Sequence, residues 1–452
     1  MKLSKYILIF AVTHQLGANP DELVNINGIV RQINPQSSCA VDQWGNSAEN
    51  SCKCCIVKYK SSPEGQNKSG SYILDHCIKE GQCTKELINS IKQKENMAGL
   101  SDDQFVNRLF NNIIVIDRVN FNQSKLVNGK FTENSLLEFL VQAYKEEKLP
   151  FVEFSNINCL KAKNLYKGGG ASGFQTSQLF LVTSTCNSQG PAQQFIVKGI
   201  AKGMREAKAL ERLKNYPGIA PLISPNVIDG FPSLSIPIAY FVYPYQNTQN
   251  YISKMPLAPG KQFIDYIEDY KQNPSEQNKQ RLARAFQILG KELANFQKRF
   301  MEPSPNQILG KTLAHADLHW LNMFYDEKRG HFTFIDNETM EGSLQNRRDA
   351  YIDIVQIFFF PQLGGLFSDW LKGLNQNEFY KMATTNFVEG YISTYPDNQK
   401  LALIKELKGI LNNRNAAAHV SWTSEKLKPS RDGGINPAFD ALIKKYETLP
   451  SR

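Results

Sequence analysis

The chain has 452 residues, which is too long for one small domain and predicts two or three. It is 41% hydrophobic and 21% charged, as is ordinary for a globular protein. The formal net charge is +9, but no long basic run with interleaved aromatic residues is present. Nucleic-acid binding is therefore not expected.

The first residues have the features of a secretory signal peptide. Two lysines precede a short apolar run, and small residues end the segment at Ala18. This pattern over residues 1–18 predicts cleavage near Ala18 and a secreted protein, with a first amphipathic or buried strand as the alternative. No other stretch approaches the ~18 apolar residues that a membrane-crossing helix needs. We therefore expect a soluble mature protein with no membrane span.

Cysteines are concentrated in the next segment, which we interpret as an N-terminal module or lobe extension at residues 19–154. Six of the eight cysteines lie within it, namely Cys39, Cys52, Cys54, Cys55, Cys77 and Cys83. In a secreted chain this clustering predicts disulfides, whose pairing the sequence does not determine. The alternatives are a zinc site, on the Cys-x-x-Cys spacing of Cys52 and Cys55, and free thiols. Cys159 and Cys186 lie apart and are predicted to be buried thiols.

A glycine-rich turn separates two predicted strands, at residues 159–167 and 177–184. The turn contains Gly168, Gly169, Gly170, Ser172 and Gly173. Because glycine has no side chain to clash, such a turn lets backbone N–H groups close over the phosphates of a nucleotide. An ordinary hairpin or linker turn is the alternative.

An apolar strand at residues 194–198 follows and ends at Lys198. A helix is predicted over 205–213, and its buried face is marked by Ala207, Leu210 and Leu213. Glu206 lies one position from that face and is expected to pair with Lys198. Glu211 is the competing partner, and surface positions for both Lys198 and Glu206 are the other alternative.

The residues most typical of catalysis come after a long predicted helix over 278–300. Asp317 and Asn322 precede two short strand-like runs separated by a turn, and Asp336 follows the second run. A hairpin would bring Asn322 and Asp336 to the same end. Phosphoryl transfer needs a carboxylate to orient the attacking hydroxyl and oxygen ligands to hold magnesium. We therefore interpret Asp317 as the base and the other two as metal ligands, with ordinary turn residues as the alternative.

The segment from His315 to Glu338 resembles the catalytic core of the aminoglycoside phosphotransferase and choline kinase branch of the protein-kinase-like superfamily. That branch has His-Gly-Asp-Leu-His-x-x-Asn followed by Ile-Asp-x-Glu, and this chain has Ala316 where glycine is usual. The resemblance implies an α+β, bilobal protein-kinase-like fold after the extra Cys-rich module. The N-lobe, an antiparallel sheet plus a helix, would span 155–247, and the mostly helical C-lobe would span 248–452.

The resemblance also implies roles for the residues of this segment. Asp317 would be the catalytic base, and Asn322 and Asp336 would bind Mg²⁺ or Mn²⁺. His315 would buttress the loop that carries the base. Asp353 is expected to bond the backbone of the same loop, although an aspartate at a helix start is also favoured by the helix dipole alone.

Further roles follow for the part that would bind ATP. Lys198 would position the α- and β-phosphates, and Glu206 would hold Lys198 in place. Residues 234–245 read as a strand that runs into a loop, which the resemblance makes the interlobe hinge. Tyr243 and Tyr245 would meet adenine there, with an aromatic core strand as the alternative.

The implied reaction is Mg-ATP-dependent phosphorylation of a hydroxyl on a protein or a small molecule. Because ATP is scarce outside cells, a secreted enzyme of this kind indicates an effector that is delivered into a host cell, where it would modify a host protein or small molecule. Two alternatives stay open. One is transfer of AMP on the same fold, and the other is a pseudokinase that serves as a binding module.

Overall fold

The computed structural model describes residues 52, 55, 56, 59, 68–94, 101, 102, 105, 106, 114–116, 119, 121–147, 152–165, 178–186, 192–200, 204–214, 216–245, 248–304, 307–359, 371–412 and 431–448. The predicted signal peptide at 1–18 and the glycine-rich turn at 168–173 lie outside these residues, as do Cys39 and Cys54. Within the described ranges, no helix is both long enough and apolar enough to cross a membrane.

The chain divides into two compact units. The first comprises Met1–Val119 and Ala143–Phe151, and the second comprises Asn120–Gln142 and Val152–Arg452. In the first unit lie α1 (Gly70–Lys79), α2 (Lys85–Lys94) and β1 (Ile114–Ile116). Helix α1 begins after Ser69, whose side chain accepts the backbone N–H of Tyr72 and so satisfies one of the free N–H groups of the first turn.

Two disulfides lie among the described residues of the first unit. Cys52 pairs with Cys83 and Cys55 pairs with Cys77, at Cα–Cα distances of 4.7 and 5.7 Å. Both distances are ordinary for disulfides. Apolar side chains pack around the bridges, namely Ile56, Ile73, Leu74, Ile88, Ile91, Phe105 and Val106. The predicted disulfides are confirmed at these four positions, which leaves none of the four thiolates for zinc.

The second unit contains three sheets. Its strands are β2 (Leu160–Asn164), β3 (Leu179–Ser184), β4 (Gln193–Ile200), β5 (Ser233–Leu234), β6 (Ala239–Tyr245), β7 (Thr248–Pro256), β8 (Lys261–Gln262), β9 (Glu302–Ser304), β10 (Gln307–Thr312), β11 (Met323–Asp326), β12 (His331–Phe334) and β13 (Arg348–Asp349). Five strands lie antiparallel in the order β6-β7-β4-β3-β2. Two smaller sheets have the orders β5-β12-β11-β8 and β13-β10-β9.

A third disulfide corrects one prediction. Cys159 and Cys186 were expected to be buried thiols, but they are bonded to each other, with a Cα–Cα distance of 5.0 Å. The reason is the pairing of β2 with β3, in which Leu160 lies opposite Ser184. The two cysteines stand just outside this residue pair, one before β2 and one after β3. Because 27 residues separate the two cysteines along the chain, the sequence did not indicate that they lie close together.

Helices form the rest of the second unit. They are α4 (Met204–Lys214), α5 (Phe263–Gln272), α6 (Glu276–Arg299), α7 (Glu341–Gln345), α8 (Tyr351–Phe359), α9 (Gln376–Ile392), α10 (Asp397–Asn412) and α11 (Asn436–Glu447), whereas α3 (Glu133–Glu147) is shared between the two units. The predicted buried face of α4 is confirmed. The long helix predicted over 278–300 corresponds to α6, which buries Leu282, Phe286, Leu289, Leu293 and Phe296. The α+β class expected from the sequence is likewise confirmed.

Candidate functional site

The hairpin of β11 and β12 carries two of the predicted metal ligands. Met323 lies opposite Phe334, and the backbone N–H of Ile335 donates to the carbonyl oxygen of Asn322 at 3.0 Å. Asn322 ends the segment before β11, and Asp336 stands two residues after β12. The predicted placement of both residues at the same end of a hairpin is therefore confirmed.

The predicted base is bonded to one of these ligands. The Asn322 Nδ2 donates to the Asp317 carbonyl oxygen at 2.9 Å and to the Asp317 Oδ2 at 3.3 Å. Since the amide nitrogen is the donor, the side-chain oxygen of Asn322 is the atom that would be left to bind a cation. The Asp317 side chain is 38% exposed, so a molecule in solution can reach its carboxylate.

Lys198 reaches this cluster from β4, which lies between β7 and β3 in the large sheet. It stands near the end of β4, and its Nζ lies 2.5 Å from the Asp336 Oδ1, although 138 residues separate the two. The side chains are 18% and 30% exposed, so solvent screens the pair only in part. The sequence predicted that Lys198 pairs with Glu206. In the structure, the carboxylate that is hydrogen-bonded to Lys198 is that of Asp336.

Electrostatics keep this ion pair charged. Burial by itself disfavours the Lys198 ammonium, but the charges of Asp336, Glu338 and Glu206 outweigh burial and raise the pKa of Lys198 above its ordinary value. Burial likewise opposes ionisation of Asp336, and attraction to Lys198 together with their hydrogen bond still lowers the pKa of Asp336. Glu206, itself buried, thus acts on Lys198 as one of three attracting carboxylates.

The loop that carries the base is fixed from beneath by Asp353. The Asp353 carboxylate accepts the backbone N–H of His315 at 3.2 Å and that of Ala316 at 2.9 Å. This is the bonding that the sequence led us to expect of Asp353. The Asp353 side chain is fully buried, and burial raises the pKa of its carboxyl. The attraction of His315 and the hydrogen bonds that the carboxylate accepts act in the opposite direction.

His315 holds the loop to the hairpin. Its Nε2 lies 2.9 Å from the carbonyl oxygen of Ile335, and its Nδ1 lies 3.3 Å from the backbone N–H of Asp317. A neutral ring with its proton on Nε2 satisfies both contacts, since it donates to Ile335 and accepts from Asp317. Burial lowers the pKa of His315, in agreement with the neutral form. The geometry suits the buttress implied for this residue.

His319 lies beside the base and is also neutral at physiological pH. Its Nε2 is 3.8 Å from the Asp317 Oδ1. Burial, reinforced by the nearby His315, lowers the pKa of His319 to about 4. Near pH 7 Lys198 therefore brings a positive charge to the site, and neither histidine does.

Tyr243 and Tyr245 lie elsewhere than the sequence indicated. Strand β6 does not run into an exit loop, because Tyr243 pairs with Asn250 and Tyr245 pairs with Thr248 in a hairpin with β7. The Tyr243 hydroxyl is 3.3 Å from the Gln178 Nε2 and 3.3 Å from the Gly129 carbonyl oxygen. The strand that leads out of the sheet is β7, which ends at Pro256. The segment at 257–260 that follows reads Leu-Ala-Pro-Gly, a composition typical of a loop, and the sequence-based prediction did not consider it.

The donor set at the end of the hairpin suits a hard cation. Asn322 and Asp336 offer oxygen atoms, which Mg²⁺ prefers, and Mg²⁺ normally takes one or two protein ligands and completes its shell with water and phosphate. Among the described residues, no three or more His, Cys, Asp or Glu side chains come together to hold a metal. The oxygen donors of Asn322 and Asp336 thus suit Mg²⁺ better than a soft ion such as zinc.

Ala316 has a left-handed backbone, with φ of 63°. An L-residue with a side chain is strained there by about 1–2 kcal/mol, and glycine is not. We expect Ala316→Gly to raise the free energy of unfolding by about 0.5 kcal/mol, because the greater freedom of glycine in the unfolded chain offsets part of the relief. Buried Ala314 is the matched control, and Ala314→Gly should be destabilising by about 1 kcal/mol, because glycine is freer in the unfolded chain and a buried methyl group is lost. Equal losses at both positions in denaturant titrations would contradict the assigned strain.

Comparison with known proteins adds little. No protein-family model matches the chain, and no curated protein matches it. One solved structure, described as "WaaP in complex with acyl carrier protein", is similar over 53% of this chain and 85% of its own, with 13% identity and a TM-score of 0.28. A TM-score this low does not establish a shared fold or activity. The function of this chain is therefore inferred from the geometry of Lys198, Asp317, Asn322 and Asp336.

Proposed function

We propose that this chain is an ATP- and Mg²⁺-dependent phosphotransferase that phosphorylates a hydroxyl on a protein or a small molecule. In this proposal residues 155–247 and 248–452 are the two lobes of a protein-kinase-like fold, which follow an extra Cys-rich module at 19–154. One observation carries the proposal. The ammonium of Lys198 on the sheet meets the carboxylate of Asp336, at the hairpin end that also carries Asn322.

Each residue of the cluster has a task in such a reaction. Lys198 would bind the phosphates, and Asp317 would orient the acceptor hydroxyl and take its proton. Asn322 and Asp336 would hold Mg²⁺, which supplies neutralisation of the phosphate charge. The hydrogen bond from Asn322 to Asp317 would fix the carboxylate relative to the metal ligands.

The charge balance explains why a divalent cation is needed. Three carboxylates act on Lys198, namely Asp336, Glu338 and Glu206, so the ammonium is outnumbered. A nucleotide triphosphate that entered alone would be repelled by this excess of negative charge. Asp336 and Asn322 would hold Mg²⁺, which would supply the positive charge that offsets this repulsion, and Lys198 would then be available to bind the phosphates.

The three disulfides fit an oxidising environment, which supports secretion. We further propose that the enzyme is an effector that meets ATP inside a host cell and modifies a host target there. Nucleotidyl transfer of AMP, or nucleotide binding without turnover, are the rival functions for the same site.

Labelled ATP separates these functions. We expect incubation of the protein with host-cell lysate and Mg²⁺ to transfer label from γ-labelled ATP and not from α-labelled ATP. An Asp317→Asn variant should lose the transfer, because Asn cannot take the proton of the acceptor. Transfer from α-labelled ATP alone would favour nucleotidyl transfer, and transfer from neither would favour a binding module.

A further inference from the structure

One side chain contacts the backbone on both sides of the proposed base. Gln356, on α8, accepts the backbone N–H of Leu318 through its Oε1 at 2.7 Å. Its Nε2 donates to the carbonyl oxygen of Ala316, also at 2.7 Å. Both distances are short for N–H···O bonds, which have a mode of about 2.9–3.0 Å. A single planar amide therefore holds the two peptide groups that flank Asp317.

We propose that Gln356 is a positioning residue, which sets the orientation of the Asp317 carboxylate toward the acceptor hydroxyl. The inference rests on the proposed function and names a residue that the sequence analysis did not identify. The carbonyl of Ala316 belongs to the peptide plane before Asp317, and the N–H of Leu318 belongs to the plane after it. Because peptide groups are planar, holding both of them fixes φ and ψ of Asp317.

Asp353 cannot do this by itself. It accepts the N–H groups of His315 and Ala316, which both lie before the base. The peptide after Asp317 is held on its carbonyl side by Asn322 and His319, and on its N–H side by Gln356. Gln356 stands three positions later on α8, and positions three apart share one face of a helix. The two side chains together thus bond the loop over consecutive residues, and the last of these bonds lies beyond the base.

The chemistry of the amide makes glutamine specific here. Both a donor and an acceptor are needed on adjacent atoms, and a glutamine side chain offers both. An ionised glutamate could accept from Leu318, but its second oxygen would face the carbonyl oxygen of Ala316 and repel it. A leucine of similar size could make neither bond. Gln356→Glu should therefore lose one of the two hydrogen bonds, and Gln356→Leu should lose both.

The first test separates turnover from nucleotide binding. With γ-labelled Mg-ATP and lysate acceptor, Gln356→Leu and Gln356→Glu should lower kcat by about 10- to 100-fold, because a displacement of about 1 Å at a reacting group has an effect of this size. The KM for ATP should stay within about twofold, since Lys198 and the metal ligands are untouched. Gln280→Leu, on an exposed part of α6, is the matched control and should leave kcat unchanged.

The second test needs no activity. The backbone N–H of Leu318 is protected from hydrogen exchange by its bond to Gln356, so its exchange, followed by NMR, should be on the order of 10-fold faster in Gln356→Leu. Unchanged exchange overturns the proposal whatever the turnover. Unchanged kcat beside an active wild type also overturns it. If the wild type transfers no phosphate, the proposed function fails, and the exchange measurement alone decides whether Gln356 holds the loop.

Discussion

Replacement of Asp336 by Asn should abolish metal-dependent phosphate transfer. We expect kcat/KM to fall on the order of 10³-fold or more, a loss of about 4 kcal/mol of transition-state stabilisation. The physical reason is that Asn keeps the shape of the side chain but removes the charge that pairs with Lys198 and that, in the proposed function, would bind Mg²⁺. Transfer from γ-labelled ATP, measured across a series of Mg²⁺ concentrations, checks the expectation.

The variant should still fold, which makes the result interpretable. Lys198 loses its hydrogen-bonded carboxylate but keeps the attraction of Glu338 and Glu206. In a thermal-shift assay with Mg-ATP at about 100 times its Kd, the wild type should gain about 2.7 kcal/mol, and Asp336→Asn should gain much less. Asp440→Asn, which removes an exposed carboxylate on α11, should behave as the wild type. Full transfer by Asp336→Asn would end the proposed metal role.

Adding one methyl group between α6 and α9 should strongly destabilise the second unit. A Cβ on Gly290 would overlap the carbonyl oxygen of Phe387, and a Cβ on Gly390 would overlap that of Gln287. Backbone atoms of a packed helix cannot move aside as a flexible side chain can. We expect Gly290→Ala or Gly390→Ala to lower the free energy of unfolding by on the order of 3 kcal/mol, at the upper end of overpacking effects.

Another helical glycine supplies the control for this prediction. Gly409 lies in α10, and a Cβ there would meet nothing within 4 Å. Gly409→Ala should therefore be stabilising by about 0.5–1 kcal/mol, since alanine is the better helix former. Denaturant unfolding of the three variants gives the comparison. Similar changes at all three positions would show that helix propensity governs them and that close approach does not.

Local sequence patterns correctly predicted the hairpin of β11 and β12 and the bonding of the loop that carries Asp317. The runs that became β11 and β12 are separated by a short turn, so their pairing follows from the residues themselves. Asn322 and Asp336 flank that hairpin, which is why their common position was predictable. The bonds from Asp353 to the loop were likewise expected from the resemblance, and the structure has both of them.

Two strand pairings were not evident from the sequence, one in a local hairpin and one that brings two distant cysteines together. The hinge was assigned to β6 because its aromatic run ends at Tyr243-Pro-Tyr245, and nothing in that run reveals that β7 pairs back along it. The disulfide between Cys159 and Cys186 depends on strand pairing in the same way. Gln356 was passed over because an isolated glutamine in an apolar helix carries no pattern.

The sequence by itself determined which residues form the chemistry: an aspartate, an asparagine and a second aspartate around a short hairpin, and a lysine at the end of an apolar strand. Side-chain type and short-range periodicity are enough for that. Only the tertiary structure decided which carboxylate bonds Lys198 and which amide holds Asp317. These contacts join segments 138 and about 38 residues apart, and their formation depends on how sheets and helices pack, which no local pattern encodes.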